Sequence, residues 1–372
     1  MEKQRKYINL KDICEKFDLK GKVISIAPFG NGKINKSFKV VCDDDGMEKF
    51  YILQCISNKM GSPIILMQNT INIISHLEKK GYRGLNLINT KENKNYYVEQ
   101  KRFFRVFEFL DGEVFETIDC PHRFEKAGEA FAQFAKELQD IGDEKIISLI
   151  PNFHNTSKIF EDFVKVVRDN PTGRKKIARD EIWFLLWKSD ILNEFEKLKF
   201  NEELPKRIIH GDTKLNNLIF NKNSHDVLAV VDYDTVMKNY LCYDFGDAVR
   251  SGCNCVSEDE CNFSKVKFNM SYFNAFSKGY LSVWKHELST AELKSIAISP
   301  FLVTYELSLR FLTDYLLGDI YFLTKNSDDN LMRCKNQIAL LKDMYRYKDK
   351  IFDTVLKGVK DKNKNQKHWF EI

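Results

Sequence analysis

Short runs of β-branched and aromatic residues dominate the first part of the chain, and such runs are typical of strands. Three of them, at residues 23–30, 37–43 and 49–56, are separated by clusters of Gly, Asn and Asp. Between the second and third runs, the segment 43–47 predicts a tight hairpin turn in which Gly46 takes a positive φ. The N-terminal part is therefore predicted to be rich in antiparallel strands.

Helical periodicity replaces this pattern in the rest of the chain, where apolar residues recur every three or four positions. One helix is already predicted in the N-terminal part, from Pro63 to Gly81. The later predicted helices include residues 125–142, 157–169, 178–200, 301–317 and 331–356, and two β-rich segments interrupt them at 207–220 and 227–235. We therefore predict an α+β fold with a β-rich N-terminal lobe, residues 1–107, and a mainly helical C-terminal lobe, residues 108–372.

Composition and charge exclude several classes of protein. Hydrophobic residues make up 43% of the 372 residues, which is too much for a disordered chain. The net charge of +5 comes from 58 basic and 53 acidic residues, a balance too even for a nucleic-acid-binding protein. This mild positive bias suits an anionic small molecule, and we expect no nucleic-acid partner.

The cysteines and the apolar runs bear on the compartment. The nine cysteines are an odd number, and the charged N-terminus lacks the apolar core of a signal peptide, so we expect reduced thiols. Cys253, Cys255 and Cys261 lack a CxxC pair and a nearby His, which favours structural thiols over a zinc site. The longest unbroken apolar runs, such as residues 182–187, are far shorter than a membrane span. We expect a cytoplasmic protein with no membrane segment.

The segment 207–220 carries the most informative chemistry. A polar loop with His210, Asp212 and Asn217 lies between two β-branched runs, and Asp232 ends the next apolar run. Phosphoryl transfer uses these residue types, since one carboxylate orients the acceptor hydroxyl while an amide oxygen and a second carboxylate hold Mg²⁺ against the phosphates. Acidic loops at strand ends are also common as plain turns. The strand context and the second carboxylate favour the catalytic interpretation.

These residues carry a family resemblance. HGDTKLNN at 210–217 and VVDYDT at 230–235 resemble the catalytic loop and metal aspartate of the aminoglycoside phosphotransferase and choline kinase superfamily. The resemblance implies the two-lobed, protein-kinase-like fold of that superfamily. Three further segments, FGNGKINKSF, YDFGDAVR and YELSLRFLTDYLLGDIYF, resemble its N-acetylhexosamine 1-kinase branch, whose members phosphorylate the anomeric hydroxyl of sugars.

The resemblance implies a role for each matching residue of the catalytic segment. Asp212 is expected to be the catalytic base, and Asn217 and Asp232 are expected to be the Mg²⁺ ligands. His210 is expected to brace the catalytic loop, with Asp244 as a supporting residue. For Asp234 and Asp247 the alternative is purely structural, as turn caps or as partners of Arg250.

The N-terminal lobe is expected to bind ATP. Gly30, Asn31 and Gly32 lie between two predicted strands, where backbone N–H groups can cover phosphates, although a plain hairpin turn has the same glycines. Lys33 stands where the branch usually has His, which leaves its contact with substrate open.

The third strand and the connector complete the predicted nucleotide site. Gln54 occupies the position of the usual kinase lysine, and the following helix has no glutamate in its middle, so both members of the usual ion pair are absent together. The backbone of Glu108 and Leu110 is expected to meet the adenine edge. The side chains of this connector equally suit an ordinary strand core.

The apolar helix at 301–317 carries three charged residues on one stripe, Glu306, Arg310 and Asp314. Buried charges need partners, so one alternative is an internal ladder of ion pairs. The other is that Arg310 binds sugar oxygens, for which a guanidinium offers several donors in a fixed fork. In the resembling kinases the matching Arg and Tyr contact the sugar, which implies substrate-binding roles for Arg310 and Tyr321.

The function predicted from these features is transfer of the ATP γ-phosphoryl group to the C1 hydroxyl of N-acetylglucosamine or N-acetylgalactosamine. One alternative is another small-molecule kinase of the superfamily, acting on a different sugar, an aminoglycoside or choline. Arg310 and the net charge of +5 argue against cationic acceptors. Another alternative, motivated by Gln54, is a catalytically silent regulator that binds nucleotide or sugar. The preferred epimer and the oligomeric state are not indicated.

Overall fold

The computed structural model describes residues 8–30, 35–57, 61–201, 204–284 and 287–357. Within them the chain forms two compact units. The first contains the residues up to Gly112 together with Asp140–Ile150 and Val231–Asp234, and the second contains the remainder. Each unit draws on more than one stretch of chain, and the single boundary between residues 107 and 108 stays a prediction.

The first unit is built on an antiparallel sheet in which the described strands follow the order β1-β2-β3-β6-β4, with β5 also paired to β6. The strands are β1 (Lys22–Pro28), β2 (Lys36–Asp44), β3 (Met47–Ile56), β4 (Leu87–Ile88), β5 (Tyr97–Glu99) and β6 (Arg102–Glu108). The predicted hairpin between β2 and β3 is confirmed. Asp44 pairs with Met47, and Gly46 has φ 86°, which a two-residue hairpin loop requires.

Two helices accompany this sheet, α1 (Leu10–Cys14) and α2 (Pro63–Lys79). Pro63 occupies the first turn of α2, where a missing N–H costs nothing. Leu66, Ile73 and Leu77 recur at helical spacing and are buried. One face of the sheet forms a core with α1, whose buried members include Cys14, Phe17, Val40, Cys42, Leu53 and Val106.

The second unit is mainly helical. Its helices are α3 (Pro121–Glu137), α4 (Thr156–Asp169), α5 (Arg179–Trp187), α6 (Asp190–Asn201), α7 (Cys242–Gly252), α8 (Met270–Trp284), α9 (Thr290–Leu317), α10 (Asp329–Tyr345) and α11 (Lys348–Leu356). Two short antiparallel ladders join β7 (Arg207–Ile209) to β10 (Met237–Asn239) and β8 (Leu218–Phe220) to β9 (Val227–Val230). These ladders hold the ends of the loop that carries Asp212.

Helix α9 is the central helix of this unit and begins eleven residues before the predicted start at residue 301. Pro300 lies inside it and has no N–H for the carbonyl of Ile296, but the Ser299 hydroxyl donates to that oxygen at 2.9 Å. The helix is long and apolar enough to cross a membrane, and 89% of its most apolar 18-residue window is buried inside the protein. Within this fold α9 is a core helix.

Two predicted helices are each divided in two. The pattern over 178–200 forms α5 and α6, with the break after Trp187. The carbonyl of Leu185 would accept from Ser189 in a continuous helix, but it accepts from the Tyr305 hydroxyl at 2.7 Å. The pattern over 331–356 forms α10 and α11. There, the N–H groups of Arg346 and Tyr347 bond three residues back, which tightens and ends α10.

Candidate active site

The loop after β7 has a closely packed backbone at its centre, around a glycine with positive φ. Gly211 has φ 81°, and a Cβ at this position would lie 2.6 Å from the carbonyl oxygen of Thr235. The Thr235 hydroxyl donates to the carbonyl of His210 at 2.9 Å. Only glycine allows this approach, so the loop conformation depends on Gly211.

Asp212 follows this glycine and is half-buried. Asn217 Nδ2 donates to the Asp212 backbone carbonyl at 2.7 Å and to Asp212 Oδ2 at 3.1 Å. Lys214 Nζ lies 2.8 Å from Asp212 Oδ1. Burial alone would raise the pKa of the Asp212 carboxyl, but Lys214, His210 and Asn217 outweigh it and lower that pKa to about 2. The carboxylate is therefore ionised at neutral pH and oriented to accept a proton.

Lys214 is a site residue that the sequence analysis missed. Its pKa is raised, chiefly by the Asp212 carboxylate, so it carries a full positive charge. The sequence could have indicated this role, because Lys214 lies two residues after Asp212 and a lysine so close to a candidate base can pair with it. The ammonium is partly exposed and supplies a cation beside the candidate base.

His210 and Asp244 hold the backbone of this loop through hydrogen bonds. His210 is fully buried, its ring packs against Phe131 and Phe134 at 5.8 and 5.6 Å, and its Nδ1 accepts from the N–H of Asp212 at 3.3 Å. Asp244, in the first turn of α7, accepts from the N–H groups of His210 and Gly211 at 2.7 and 2.8 Å. Burial raises the pKa of Asp244, although these N–H groups and His210 oppose the shift. Because His210 is buried, its geometry is that of a positioning residue.

The two predicted Mg²⁺ ligands each offer an oxygen. Asn217 uses its amide nitrogen on Asp212, and its Oδ1 bonds to no described residue. Asp232 is exposed and has φ 63°, an uncommon conformation for a non-glycine residue, which marks it as a candidate functional position. Within the described ranges, no three His, Cys, Asp or Glu side chains cluster to hold a metal. Amide and carboxylate oxygens are both ligand types that would suit a hard cation such as Mg²⁺.

Gln54 is held in a buried polar network of the first unit. Its Nε2 donates to Ser37 Oγ at 3.0 Å, and its Oε1 accepts from Arg105 Nε at 2.9 Å. Arg105 also pairs with Asp234, with 2.8 Å between Nη2 and Oδ1, and both side chains are at most 3% exposed. An Arg–Asp ion pair therefore lies beside the position where the Lys–Glu pair is absent. Arg105 was not predicted, although a charged residue inside the apolar run of β6 signals a buried partner.

The two aspartates with a structural alternative have different partners. Asp234 accepts from Arg105 and, at 2.7 Å, from Asn35. Asp247 accepts from Arg250 at 2.9 Å, as that alternative predicted. The suggestion that Asp234 pairs with Arg250 is therefore wrong, because the carboxylate pairs with Arg105 of β6, which belongs to the same unit.

The predicted nucleotide residues are described in part. Gly30 has φ 74°, whereas Asn31, Gly32 and Lys33 lie outside the described residues. Glu108 and Leu110 line a cavity of about 260 Å³ in the first unit. The N–H of Glu108 bonds to the carbonyl of Asn86 at 2.9 Å, and Asn86 Nδ2 donates to the Glu108 carboxylate at 2.9 Å. The Leu110 N–H meets no described acceptor and remains available to a ligand.

The charged stripe of α9 forms no ladder of ion pairs. Glu306 accepts from the Thr156 hydroxyl at 2.6 Å and lies 2.9 Å from His154. Asp314 accepts from the N–H groups of the loop after α9, with 2.9 Å to that of Tyr321. Arg310 is half-buried and pairs with no carboxylate among the described residues. The alternative in which the three charges neutralise one another is therefore wrong.

Arg310 lies instead in an aromatic setting. Its guanidinium carbon is 5.3 Å from the ring centre of Phe153, 5.8 Å from that of Tyr321 and 5.6 Å from that of Phe322. Tyr321 is 51% exposed. The structure thus brings the two predicted acceptor residues together, and Asp314 holds the backbone that carries Tyr321.

The predicted fold class is confirmed, because solved structures of kinases share this fold. The microcompartment-associated aminopropanol kinase has a similar structure, with a TM-score of 0.64 at 16% identity over 92% of this chain and 98% of that one. The choline kinase of Cryptosporidium parvum Iowa II gives 0.60 at 15% identity over 92% and 96%. An aminoglycoside phosphotransferase of Alicyclobacillus acidocaldarius gives 0.55 at 12% identity over 94% and 98%.

Membership of a family follows from the sequence match. Residues 25–262, well over half of the 372 residues, match the phosphotransferase enzyme family. The chain belongs to the phosphotransferase enzyme family. This match confirms the phosphotransferase family part of the resemblance, while the N-acetylhexosamine 1-kinase branch stays a prediction.

Proposed function

We propose that this protein is an ATP-dependent kinase that phosphorylates the C1 hydroxyl of an N-acetylhexosamine. The observation that carries the phosphotransferase part is Asp212, an ionised carboxylate held by Asn217 and Lys214 in a loop that Gly211 makes possible. This arrangement fits a base that orients a hydroxyl group toward the γ-phosphate. Catalysis then consists mainly of positioning and charge stabilisation.

In the proposed mechanism the acceptor hydroxyl donates to the Asp212 carboxylate, which takes its proton as the phosphoryl group is transferred. Asn217 Oδ1 and the Asp232 carboxylate are the proposed Mg²⁺ ligands. Mg²⁺, when bound, neutralises charge on the β- and γ-phosphates. The Lys214 ammonium, 2.8 Å from Asp212, supplies a further cation beside the proposed base.

The ATP site is proposed for the first unit. The backbone of Gly30, Asn31 and Gly32 covers the phosphates, and the backbone of Glu108 and Leu110 meets the adenine. The Leu110 N–H, which meets no acceptor in the described part of the chain, supports this role, because an adenine ring nitrogen accepts a hydrogen bond. Gln54 has both of its amide atoms bonded, so we assign it a supporting role beside the phosphates. The role of Lys33 in contacting substrate stays a proposal.

The acceptor assignment rests on the charges of α9. Glu306 and Asp314 are buried and bonded internally, whereas Arg310 is half-buried and forms no ion pair with a carboxylate among the described residues. A guanidinium among aromatic rings suits a neutral acceptor with hydroxyl and carbonyl oxygens. It disfavours cationic acceptors such as choline or an aminoglycoside. Tyr321 adds an exposed ring and hydroxyl at the same place.

Asp212→Asn tests the phosphotransferase part. We expect kcat to fall about 10²–10⁴-fold with little change in ATP affinity, because the base acts on the acceptor. Asp226→Asn, an exposed aspartate on the turn after β8, is the matched control. ADP release and nucleotide binding by calorimetry measure the two quantities. A variant that keeps more than about a tenth of kcat contradicts the role of Asp212 as base.

An acceptor panel with Arg310→Lys tests the sugar part. The panel contains N-acetylglucosamine, N-acetylgalactosamine, other hexoses, choline, ethanolamine and an aminoglycoside, with ADP release as the readout. We expect turnover with the N-acetylhexosamines and a loss of about 10–100-fold in kcat/KM for the sugar in Arg310→Lys, with KM for ATP unchanged. Arg174→Lys, which also stacks on a tyrosine but is paired with Asp319, is the control. Turnover only with amines contradicts the acceptor assignment, and no turnover with any acceptor supports a silent binding protein.

A further inference from the structure

His154 lies at an unusual position in the second unit. It is 4% exposed and has φ 53°, in the left-handed region that non-glycine residues rarely adopt. Its two ring nitrogens have different partners: Nδ1 lies 2.9 Å from Glu306 Oε1, and Nε2 lies 3.1 Å from the carbonyl oxygen of Gly211. One imidazole therefore joins α9 to the loop that carries Asp212.

Both partners of the ring are acceptors. A carbonyl oxygen only accepts, and the Glu306 carboxylate already accepts from the Thr156 hydroxyl through its other oxygen. A neutral imidazole has one N–H, so one of the two contacts would place lone pairs against each other. With a proton on each nitrogen, the imidazolium donates to both partners.

The groups around His154 favour this charged form. Burial alone would lower the pKa of His154, but the Glu306 carboxylate and, at longer range, Asp247 raise it above its usual value. The pKa of Glu306 is lowered in turn, by His154 and by Arg310, against the effect of burial. On the α7 side the ring stacks on Tyr243 at 4.8 Å, and the buried Asp244 also acts on it. The charged groups that act on the His154 ring, Glu306, Asp247 and Asp244, are thus all carboxylates.

The two ends of this link lie next to the proposed reacting groups. Gly211 directly precedes Asp212, and Glu306 lies one helical turn before Arg310. Phe153, the neighbour of His154, packs against the Arg310 guanidinium. We propose that His154, as an imidazolium, is a positioning residue that sets the catalytic loop against the acceptor-binding helix, so that phosphoryl transfer weakens when this proton is lost. The kinetic part of this proposal rests on the proposed function.

The direction of the pH effect follows from the link. A histidine with a raised pKa in the folded protein contributes stability that is fully present at low pH and is lost as pH rises through that pKa. Loss of the proton breaks one of the two hydrogen bonds and leaves two acceptors facing each other. We therefore expect kcat to fall on the alkaline side.

The protonation state is measurable without any acceptor. In protein labelled with ¹⁵N-histidine, NMR at neutral pH should show both ring nitrogens of His154 protonated, in signals that are absent from His154→Gln. A single protonated nitrogen at neutral pH overturns the proposal. This result does not depend on whether the protein is a sugar kinase.

The kinetic test compares variants over about pH 6 to pH 10. In Glu306→Gln the amide can donate to Nδ1 while Nε2–H still donates to Gly211, so both bonds form without a charge. We expect this variant to lose the alkaline fall in kcat, and His154→Gln to lose about 10–100-fold in kcat at pH 7 with KM for ATP unchanged. His76→Gln, which removes a more exposed histidine paired with Asp140, should keep the wild-type profile.

Two outcomes decide the kinetic part. An alkaline fall in Glu306→Gln equal to that of the wild type overturns the proposal, whereas its loss supports it. If His154→Gln does not fold, the comparison of Glu306→Gln with the wild type still applies. If no acceptor is turned over, the proposed function fails, and Tm against pH replaces kcat. Tm should then fall at alkaline pH in the wild type and stay flat in Glu306→Gln, and equal profiles overturn the link.

Discussion

Asp234→Asn should destabilise the first unit strongly, because it removes the counter-charge of a buried arginine. Arg105 is 2% exposed and donates to three side chains, of which Asp234 alone is charged. In the variant an amide replaces the carboxylate at nearly the same volume. Packing is conserved, so the effect reports the lost charge.

The size of this effect follows from the distance between the charges. Unit charges 2.8 Å apart attract by 332/(20 × 2.8), about 6 kcal/mol, at an effective dielectric constant of about 20. Part of this attraction offsets the cost of burying both ions, and removal of one partner of a buried pair typically costs about 3–5 kcal/mol. We therefore expect the free energy of opening the first unit to be about 3–5 kcal/mol lower in Asp234→Asn than in the wild type.

Cysteine labelling measures that opening directly. Cys14 and Cys42 are fully buried in the first unit, and burial raises the pKa of the Cys14 thiol to about 12, so both react only after the unit opens. Cys242 and Cys334 are equally buried in the second unit. With alkylation followed by mass spectrometry, a loss of about 3–5 kcal/mol speeds labelling of the first two thiols about 10²–10⁴-fold.

Two results would refute this reasoning. Labelling of Cys42 within about fivefold of the wild-type rate would mean that the Arg105–Asp234 pair contributes little beyond its hydrogen bonds. Equal acceleration of Cys42 and Cys242 would mean that the effect is not confined to the first unit. Asp140→Asn is the control, because Asp140 pairs with Lys80 and His76 but is 67% exposed, and exposed pairs contribute at most about 1 kcal/mol.

Two further predictions concern the loops of the candidate site. Gly211→Ala should lower kcat at least about tenfold. The added Cβ would lie 2.6 Å from the Thr235 carbonyl oxygen, on a backbone with φ 81°, so the loop must shift and displace Asp212. Steady-state kinetics measure this, and wild-type activity would contradict the prediction. Asp314→Ala should raise the sugar KM about tenfold and speed proteolysis near Tyr321, because three backbone N–H groups lose their acceptor. An unchanged sugar KM would mean that this loop does not contact the acceptor.

The strands and the catalytic loop were predictable because their signals are local. The turn at Gly46 depends on two adjacent residues, and His210, Asp212 and Asn217 lie within one loop. Backbone geometry and hydrogen bonds over a few residues set these features. Helix ends were less predictable where a distant residue intervenes, as when the Tyr305 hydroxyl takes the Leu185 carbonyl and ends α5.

The partners of the buried charges were decided only by the tertiary structure. The sequence showed that Glu306, Arg310 and Asp314 share one stripe of a helix, and it predicted that something must face them. It did not indicate that Glu306 contacts His154, 152 positions earlier, or that Asp314 binds the loop after its own helix.

The sequence by itself thus determined the α+β class, the catalytic loop and the order of its residues. The tertiary structure decided that Asp234 pairs with Arg105, 129 positions away, and that His154 bridges Glu306 and Gly211. The physical reason is that desolvation requires every buried charge to have a partner but does not specify which one. That choice depends on which side chains packing brings within about 3 Å of each other, a distance that only the folded chain defines.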